Sequence, residues 1–260
     1  MLGARRIAIV AAMVQLNPPP APGPAAGAAS RETEARIPHP GLGTGSSIWL
    51  VRHGRVDAAW RGRAYGNLEV PLSPEGEQDT LRLAAALATW EIAALACSPL
   101  VRAERLGRLL AEDSGAQLQV VADLRELDRG NWQGLSLAEY AERWAAEAEA
   151  YHRDPYTWRG TGGESDAELT ARSWPVLEEL VRKAAGGTAV LVTHYNVIRV
   201  LVAKALGLPP ASSHNLRNDQ GHATLLVDAV DLPGAGSLWR LERSNVRDPH
   251  SGPHPVEDAP

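Results

Sequence analysis

Two histidines come directly after apolar runs, where an imidazole side chain could do chemistry. Residues 49–51 lead to Arg52 and His53, and residues 190–193 lead to His194. A neutral imidazole nitrogen is a competent nucleophile and a proton carrier. If both runs are buried strands of one parallel sheet, both side chains emerge beyond the carboxyl ends of the strands, where ligands bind. The sequence therefore predicts a site that holds two histidines far apart in the chain.

Two arginines and a carboxylate can complete such a site. Arg102 follows a third apolar run, which ends in Cys97, and Arg52 directly precedes His53. Guanidinium groups make paired, charge-assisted hydrogen bonds to phosphate oxygens, so the two arginines can grip one anion. Glu126 supplies a carboxyl group that can give or take a proton. The set comprises a nucleophile, two anion clamps, a second imidazole and an acid.

The elements that must position these residues follow an α/β pattern. Apolar runs alternate with amphipathic segments, which predicts strands joined by crossover helices. We expect an α/β fold, a three-layer α/β/α sandwich with a mainly parallel central sheet and a small helical lid. The strands are predicted over residues 48–51, 92–96, 118–121, 189–193, 223–230 and 237–241. The helices are predicted over residues 74–89, 100–113, 136–152, 165–183 and 196–206.

The two ends of the chain have the composition of tails, and the catalytic domain is expected over residues 46–244. Residues 1–45 hold a short apolar stretch followed by a Pro, Ala and Gly-rich stretch. They are interpreted as a disordered extension, with a targeting segment or a wrongly chosen start codon as alternatives. Residues 245–260 have little to bury and are predicted to form a second tail. Residues 131–163, with a predicted helix and no strand, are expected to form the lid.

Composition limits the classes of function. A formal net charge of −5 gives no broad electrostatic reason to bind nucleic acid. No apolar run approaches the roughly 18 residues that indicate a membrane span. The single cysteine, Cys97, cannot form an internal disulfide or a cysteine-based metal cluster, and it fits a cytoplasmic location. The remaining histidines lack metal-ligand spacing, so no metal is expected. The oligomeric state is left open.

Two other classes of phosphate-binding protein have a recognisable sequence signature, the cysteine phosphatases and the P-loop proteins. The cysteine phosphatase signature needs five residues between nucleophile and arginine, whereas four separate Cys97 from Arg102 and one of them is Pro99. Gly41, Gly43 and Gly45 precede the first predicted strand and lack the P-loop lysine. Neither class fits.

The motifs together resemble the histidine phosphatase superfamily, specifically its phosphoglycerate mutase-like branch. The resemblance covers about residues 48–226 and keeps the family's order of motifs. These are Arg52-His53-Gly54, Gly66 with Pro71-Leu72-Ser73 and Gly76, Ser98-Pro99-Leu100 with Arg102-Ala103, Leu124-Arg125-Glu126 with Gly130, Trp132 and Gly134, Gly163-Glu164-Ser165, and Val192-Thr193-His194.

This resemblance implies a metal-independent phosphomonoesterase that acts on a small phosphorylated metabolite without a cofactor. It implies that His53 becomes phosphorylated, that Arg52 and Arg102 hold the phosphoryl oxygens, and that His194 completes the pocket. Glu126 is implied as the proton donor. Nearby arginines disfavour a further positive charge on the nucleophilic imidazole, which is consistent with that assignment.

A second set of residues is expected to line the substrate pocket: Gly54, Asn67, Tyr195 and Asn196. Tyr195 departs from the family pattern, which usually has glycine after the second histidine. It is expected either to shape the pocket or to pack.

The resemblance leaves the type of reaction open. Mutases of this branch usually carry Asn-Glu-Arg and a following tyrosine at the acid segment, together with a longer lid. Leu124-Arg125-Glu126-Leu127-Asp128 with Trp132-Gln133-Gly134 is closer to the phosphatase and α-ribazole phosphatase type. A hydrolase is therefore favoured, with a phosphoglycerate mutase or a pseudo-enzyme that binds a phosphorylated ligand as alternatives.

Overall fold

A six-stranded sheet forms the centre of the protein. The structure, a computed structural model, describes residues 45–160, 162–232 and 236–251. Residues 1–44 of the expected N-terminal extension lie outside these ranges, and so do residues 252–260. The strands are β1 (Ser47–Arg52), β2 (Ile92–Cys97), β3 (Leu118–Val120), β4 (Thr188–Thr193), β5 (Ala223–Leu232) and β6 (Gly236–Val246). Their order across the sheet is β3-β2-β4-β1-β5-β6.

The sheet is mainly parallel, as predicted. β1 pairs in parallel with β4, β4 with β2, and β2 with β3. Only β5 and β6 add antiparallel pairings at one side of the described sheet. The carboxyl ends of the four parallel strands therefore meet at one edge, which is where ligands bind in open α/β sheets.

Helices cover both faces of this sheet. They are α1 (Pro74–Leu87), α2 (Val101–Ser114), α3 (Leu137–Arg143), α4 (Ala145–Arg153), α5 (Asp166–Ala184) and α6 (Tyr195–Ala205). Short 3-10 helices lie at Ala58–Trp60, Ala122–Leu124, Gly130–Trp132 and Pro210–Asn215. Ser73 caps α1 by accepting a hydrogen bond from the Gly76 N–H, and Pro74 follows at the first helical position. This is the helix start predicted from the sequence.

β1 shows how the two hydrophobic layers arise. Trp49 and Val51 pack with α1 and α2, whereas Ile48 and Leu50 pack with α5 and α6. Successive side chains of a strand point to opposite faces, so a strand buried on both faces has a continuous apolar run. Full burial of each such side chain stabilises the fold by roughly 1.5–3 kcal/mol. The predicted three-layer α/β/α sandwich is confirmed.

The lid segment differs from the prediction in one respect. Its single predicted helix over residues 136–152 is two helices, because Trp144 leaves the helical conformation with φ −128° and ψ 33°. Aromatic side chains then pack across the segment, with ring centroids 4.4 Å apart for Trp132 and Tyr140 and 4.8 Å apart for Trp132 and Trp158. Aromatic packing, which helical periodicity does not reveal, therefore shapes the lid.

The C-terminal region is also more structured than predicted. β6 continues to Val246, although its predicted end is residue 241 and the tail was expected from residue 245. Asn245 donates its backbone N–H to the Thr224 hydroxyl, and the His250 ring lies 2.7 Å from the Ala86 carbonyl oxygen at the end of α1. Polar hydrogen bonds hold residues 245–251 in place. A prediction based on apolar burial does not detect such bonds. Among the described residues, no helix is long and apolar enough to span a membrane.

Candidate active site

The two histidines meet at the carboxyl edge of the sheet. Arg52 and Thr193 are paired at the ends of β1 and β4, so the next residue on each strand, His53 or His194, leaves the sheet beside the other. Their ring centroids are 5.2 Å apart, and both side chains are buried. The pairing of two parallel strands thus brings together residues that the sequence separates widely.

His53 is held as a neutral imidazole with one nitrogen free. Its Nδ1 lies 2.7 Å from the Gly54 carbonyl oxygen. A carbonyl oxygen only accepts hydrogen bonds, so Nδ1 carries the proton and Nε2 keeps its lone pair. Burial lowers the pKa of His53 well below its usual value, and the charges of Arg102 and Arg52 lower it further. The Nε2 atom is therefore available as a nucleophile.

Gly54 allows this arrangement because it lacks a side chain. A Cβ atom at Gly54 would lie 2.2 Å from the carbonyl oxygen of Gly76 in the first turn of α1. The loop after β1 can approach α1 this closely only without a Cβ atom there. Gly54 thus positions His53 through close backbone packing and through the hydrogen bond it accepts.

His194 is neutral as well, and its Nε2 atom forms a hydrogen bond with Ser98. The Ser98 hydroxyl lies 2.7 Å from His194 Nε2 and also accepts a hydrogen bond from the Leu100 N–H. When the hydroxyl donates its own proton to Nε2, the imidazole proton lies on Nδ1. Burial is the main cause that lowers the pKa of His194, followed by Arg102. His194 therefore offers an uncharged N–H group.

Arg102 is a fully enclosed cation. Its side chain is 1% exposed, and it donates hydrogen bonds to the carbonyl oxygens of Leu68 (2.7 Å) and Gly66 (2.8 Å). Its Cζ atom also lies 5.3 Å from the ring centroid of Tyr65. These contacts fix the guanidinium and leave its other N–H groups for a ligand.

Arg52 is positioned differently. It donates a hydrogen bond to the carbonyl oxygen of Asn218, and its Cζ atom lies 5.2 Å from the ring centroid of Tyr195. Within the part of the chain that the structure describes, Arg52 Nε, Arg102 Nε and His194 Nδ1 are buried without a hydrogen-bond partner. Buried donors are almost always paired, so three unpaired donors in one site indicate a place for an anion.

Glu126 is the carboxylate of the site. It is buried, and its Oε1 accepts a hydrogen bond from the Leu127 N–H at 2.8 Å. Its Oε2 accepts from the Asn196 N–H in the first turn of α6 at 3.3 Å. Both carboxylate oxygens are thus oriented by backbone groups, and the charge of Glu126 acts on Arg102.

The segment that carries Glu126 is held from two sides. Thr193, at the end of β4, donates its hydroxyl to the Leu124 carbonyl oxygen at 2.8 Å. Arg172 of α5 donates to the Arg125 carbonyl oxygen at 2.8 Å and forms an ion pair with Glu164 at 2.6 Å. The acid is therefore anchored both to the sheet and to a helix.

Asn196 and Asn67 have different surroundings. The Asn196 side chain is buried, and its Oδ1 accepts hydrogen bonds from Arg199 (3.0 Å) and Arg129 (3.4 Å). Asn67 instead lines an open cavity of about 390 Å³ beside Glu126, and its backbone N–H donates to the Gln133 side chain. Asn67 therefore has access to a ligand, while Asn196 supports Glu126.

A buried ion pair lies behind Asn196. Arg199, which is fully buried, pairs with Asp166 at 2.6 Å and also donates to the Ser213 hydroxyl at 2.7 Å. His214 contacts the same carboxylate at 3.2 Å and bonds to Tyr151 of α4. This network ties α5, α6 and the lid together.

Sequence reasoning assigned no role of their own to Ser98, Arg172 and Tyr65. Ser98 had a usable signal, because it follows β2 at the same sheet edge as the two histidines. Arg172 lies within α5, outside the recognised motifs, and Tyr65 acts through its ring face. No group of three His, Cys, Asp or Glu side chains that could hold a metal occurs among the described residues.

Comparison with known proteins identifies the family. The model of the histidine phosphatase superfamily (branch 1) matches residues 48–231. Glucosyl-3-phosphoglycerate phosphatase of Mycobacterium tuberculosis (strain H37Rv) is 34% identical over 208 residues, covering 76% of this chain and 93% of the relative. A probable phosphoglycerate mutase of Enterobacter sp. (strain 638) is 28% identical over 199 residues, covering 75% of this chain and 90% of the relative.

A solved structure agrees with the sequence relatives. The native structure of mycobacterial glucosyl-3-phosphoglycerate phosphatase Rv2419c superposes with a TM-score of 0.69 at 31% identity, covering 76% of this chain and 98% of that one. The family model matches the stretch that carries the two histidines, the arginines and Glu126. The chain belongs to the histidine phosphatase superfamily, branch 1.

Proposed function

We propose that this chain is a phosphomonoester hydrolase that acts on a small phosphorylated metabolite through a phosphohistidine at His53. One observation carries the proposal. A buried, neutral His53 with a free Nε2 shares a site with three unpaired donors, on Arg52, Arg102 and His194. A nucleophile and an anion-binding site then occupy the same place.

In the first half-reaction, the lone pair of His53 Nε2 attacks phosphorus. A phosphorus–nitrogen bond forms as the bond to the leaving oxygen breaks. Arg52, Arg102 and the His194 N–H stabilise the charge on the equatorial oxygens, because preorganised donors are most effective in a water-poor site. Protonated Glu126 gives its proton to the leaving oxygen, which departs as an alcohol.

In the second half-reaction, water replaces the histidine. Glu126, now a carboxylate, takes a proton from water as the water oxygen attacks phosphorus. The phosphorus–nitrogen bond breaks, inorganic phosphate forms, and the electron pair returns to His53 Nε2. The hydrogen bond from His53 Nδ1 to Gly54 can persist throughout and hold the ring in line.

The open cavity beside Glu126 is the proposed place for the leaving group. Its lining is mostly polar or charged and includes Asn67, Arg125, Arg159 and Glu168. Such a lining, which has five carboxylates and three arginines in all, suits a hydrophilic, hydroxyl-bearing group better than an aromatic base. The name of the M. tuberculosis relative makes glucosyl-3-phosphoglycerate the first substrate to test.

Isomerisation is the second candidate function, because one relative is named a probable phosphoglycerate mutase. Both activities proceed through a phosphoenzyme, and they differ in the group that accepts its phosphoryl group. A mutase returns the phosphoryl group to a second hydroxyl, whereas a hydrolase passes it to water. The acid segment around Glu126 favours the hydrolase, because it lacks the Asn-Glu-Arg and following tyrosine that mutases of this branch usually carry.

The proposed catalytic unit spans the predicted domain, residues 46–244, together with the hydrogen-bonded residues 245–251, and works in the cytoplasm on a small metabolite. Burial raises the pKa of the Cys97 thiol to about 12, which keeps this thiol protonated and unreactive. A protein without disulfide chemistry suits a reducing compartment.

The test is phosphate release by the purified protein, with and without a chelator. Substrates should include p-nitrophenyl phosphate, glucosyl-3-phosphoglycerate, 3-phosphoglycerate with the bisphosphoglycerate primer, and α-ribazole phosphate. We expect hydrolysis that is insensitive to the chelator and lost in His53→Gln. Isomerisation faster than hydrolysis would establish the mutase instead, and phosphate-ester binding without turnover would establish a binding protein.

A further inference from the structure

Each of the two arginines of the phosphate site lies over the face of a tyrosine. The Cζ atom of Arg52 is 5.2 Å from the ring centroid of Tyr195, and that of Arg102 is 5.3 Å from the ring centroid of Tyr65. A guanidinium within about 6 Å of an aromatic centroid is attracted by the negative face of the ring. Both arginines therefore have an aromatic support that does not use up their N–H donors.

The two arginines differ in how much else holds them. Arg102 is also fixed by two hydrogen bonds, to the carbonyl oxygens of Leu68 and Gly66. The Arg52 side chain has a single hydrogen bond among the described residues, to the carbonyl oxygen of Asn218. The orientation of Arg52 thus depends strongly on the Tyr195 ring. The orientation of Arg102 depends less on the Tyr65 ring, because two hydrogen bonds also fix it.

Tyr195 is well placed for this role. It is the first residue of α6 and directly follows His194, which caps that helix. The Ile198 N–H donates to the His194 carbonyl oxygen at 3.0 Å, which fixes this first turn beside the site. Burial raises the pKa of Tyr195, so its hydroxyl stays neutral and does not add a negative charge near the phosphate.

We propose that Tyr195 is a positioning residue whose ring face holds the Arg52 guanidinium in the orientation that binds phosphate. The proposal rests on the proposed function, because it assigns Arg52 to the phosphoryl group. It concerns the ring and not the hydroxyl, whose contact with the Leu216 carbonyl oxygen is long, at 3.5 Å.

The test compares a non-aromatic with an aromatic replacement. Tyr195→Leu removes the ring face but keeps an apolar side chain, while Tyr195→Phe removes only the hydroxyl. The dissociation constant of inorganic phosphate and kcat/KM for p-nitrophenyl phosphate are measured for each. Tyr195→Leu should weaken both by about tenfold, in the range of a partly desolvated cation–π contact, and Phe should recover most of the loss. Tyr65→Leu, the matched control, should have a smaller effect because Arg102 keeps its two carbonyl bonds.

A double-mutant cycle separates positioning from a structural role. On an Arg52→Ala background, Tyr195→Leu should cause no further loss of phosphate affinity, because its effect acts through Arg52. Equal losses on both backgrounds, or a Phe variant as weak as the Leu variant, would overturn the proposal. Should Tyr195→Leu fail to fold by circular dichroism, Tyr195→Met takes its place.

The cycle also distinguishes this inference from the proposed function. A wild-type protein that hydrolyses the ester and binds phosphate, with a Tyr195→Leu variant that matches it, would refute only the role of Tyr195. A wild-type protein that neither binds phosphate nor hydrolyses esters would refute the proposed function and this inference together.

Discussion

The neutral state of His53 predicts a specific loss of stability in acid. The imidazole is buried and beside two guanidinium groups, so its pKa in the folded protein lies well below the usual value of 6.5. The unfolded chain exposes the same imidazole, which takes up a proton as the pH falls through 6.5. The unfolded state then binds more protons than the folded state, and the free energy of unfolding falls as the pH falls.

The size of this loss follows from linkage. The unfolded imidazole, with a pKa near 6.5, lowers the free energy of unfolding by at most about 1.9 kcal/mol between about pH 7 and about pH 5, and this limit is reached when the folded imidazole takes up no proton over the interval. His194 is buried in the same site and its pKa is also lowered well below the usual value. The two histidines together should account for at most about 3.8 kcal/mol over this interval.

Urea unfolding of the wild-type protein and of His53→Gln at the two pH values measures this contribution. The difference between the two pH dependences cancels the other titrating groups. The variant should lose less stability than the wild type, by at most about 1.9 kcal/mol, and His194→Gln should show a reduction in the same direction. If His53→Gln lost as much stability as the wild type, the imidazole would be charged in the folded protein, and its role as a free nucleophile would be refuted.

Three further predictions concern the acid, the second histidine and the buried ion pair. Glu126→Gln should lower kcat for an alkyl phosphate by about 10²–10⁴-fold in a phosphate-release assay, because the leaving oxygen loses its proton donor; a loss below tenfold would contradict this role. Ser98→Ala should lower kcat/KM by about tenfold through the lost hydrogen bond to His194, with Ser98→Thr as the hydroxyl-bearing control; an unchanged value would refute the role of this hydrogen bond in positioning His194. Asp166→Asn should reduce the free energy of unfolding by about 3–5 kcal/mol, because Arg199 stays buried without its counter-ion. Glu179→Gln, which breaks an exposed ion pair with Arg182, is the control for that urea measurement, and equal effects would contradict the prediction.

The central strands and the meeting of the histidines could be predicted because burial leaves a direct trace in the sequence. β1 and β4 are buried on both faces, so each appears as a continuous apolar run with a polar residue at its end. Parallel pairing then places His53 next to His194 without further information. The helix starts at Ser73 and Ser165 could also be predicted, because each serine caps the helix that directly follows it in the sequence.

Other features depend on contacts between segments that are distant in sequence. The break at Trp144 accompanies aromatic packing of the lid, and the extension of β6 depends on hydrogen bonds of Asn245. The Arg199–Asp166 ion pair links two helices, and neither residue had a local signal that pointed to the other. The position of Tyr195 under Arg52 is of the same kind, because cation–π contacts have no sequence spacing of their own.

The central claim is that His53 carries the phosphoryl group during turnover. Rapid mixing of the protein with a substrate labelled in its phosphoryl group, followed by alkaline quenching and mass spectrometry of peptides, tests it directly. We predict an acid-labile, alkali-stable phosphate on the imidazole of His53, formed within the first turnover and lost at the rate of phosphate release. A label on His194 or on Ser98, or undiminished hydrolysis by His53→Gln, would contradict the account.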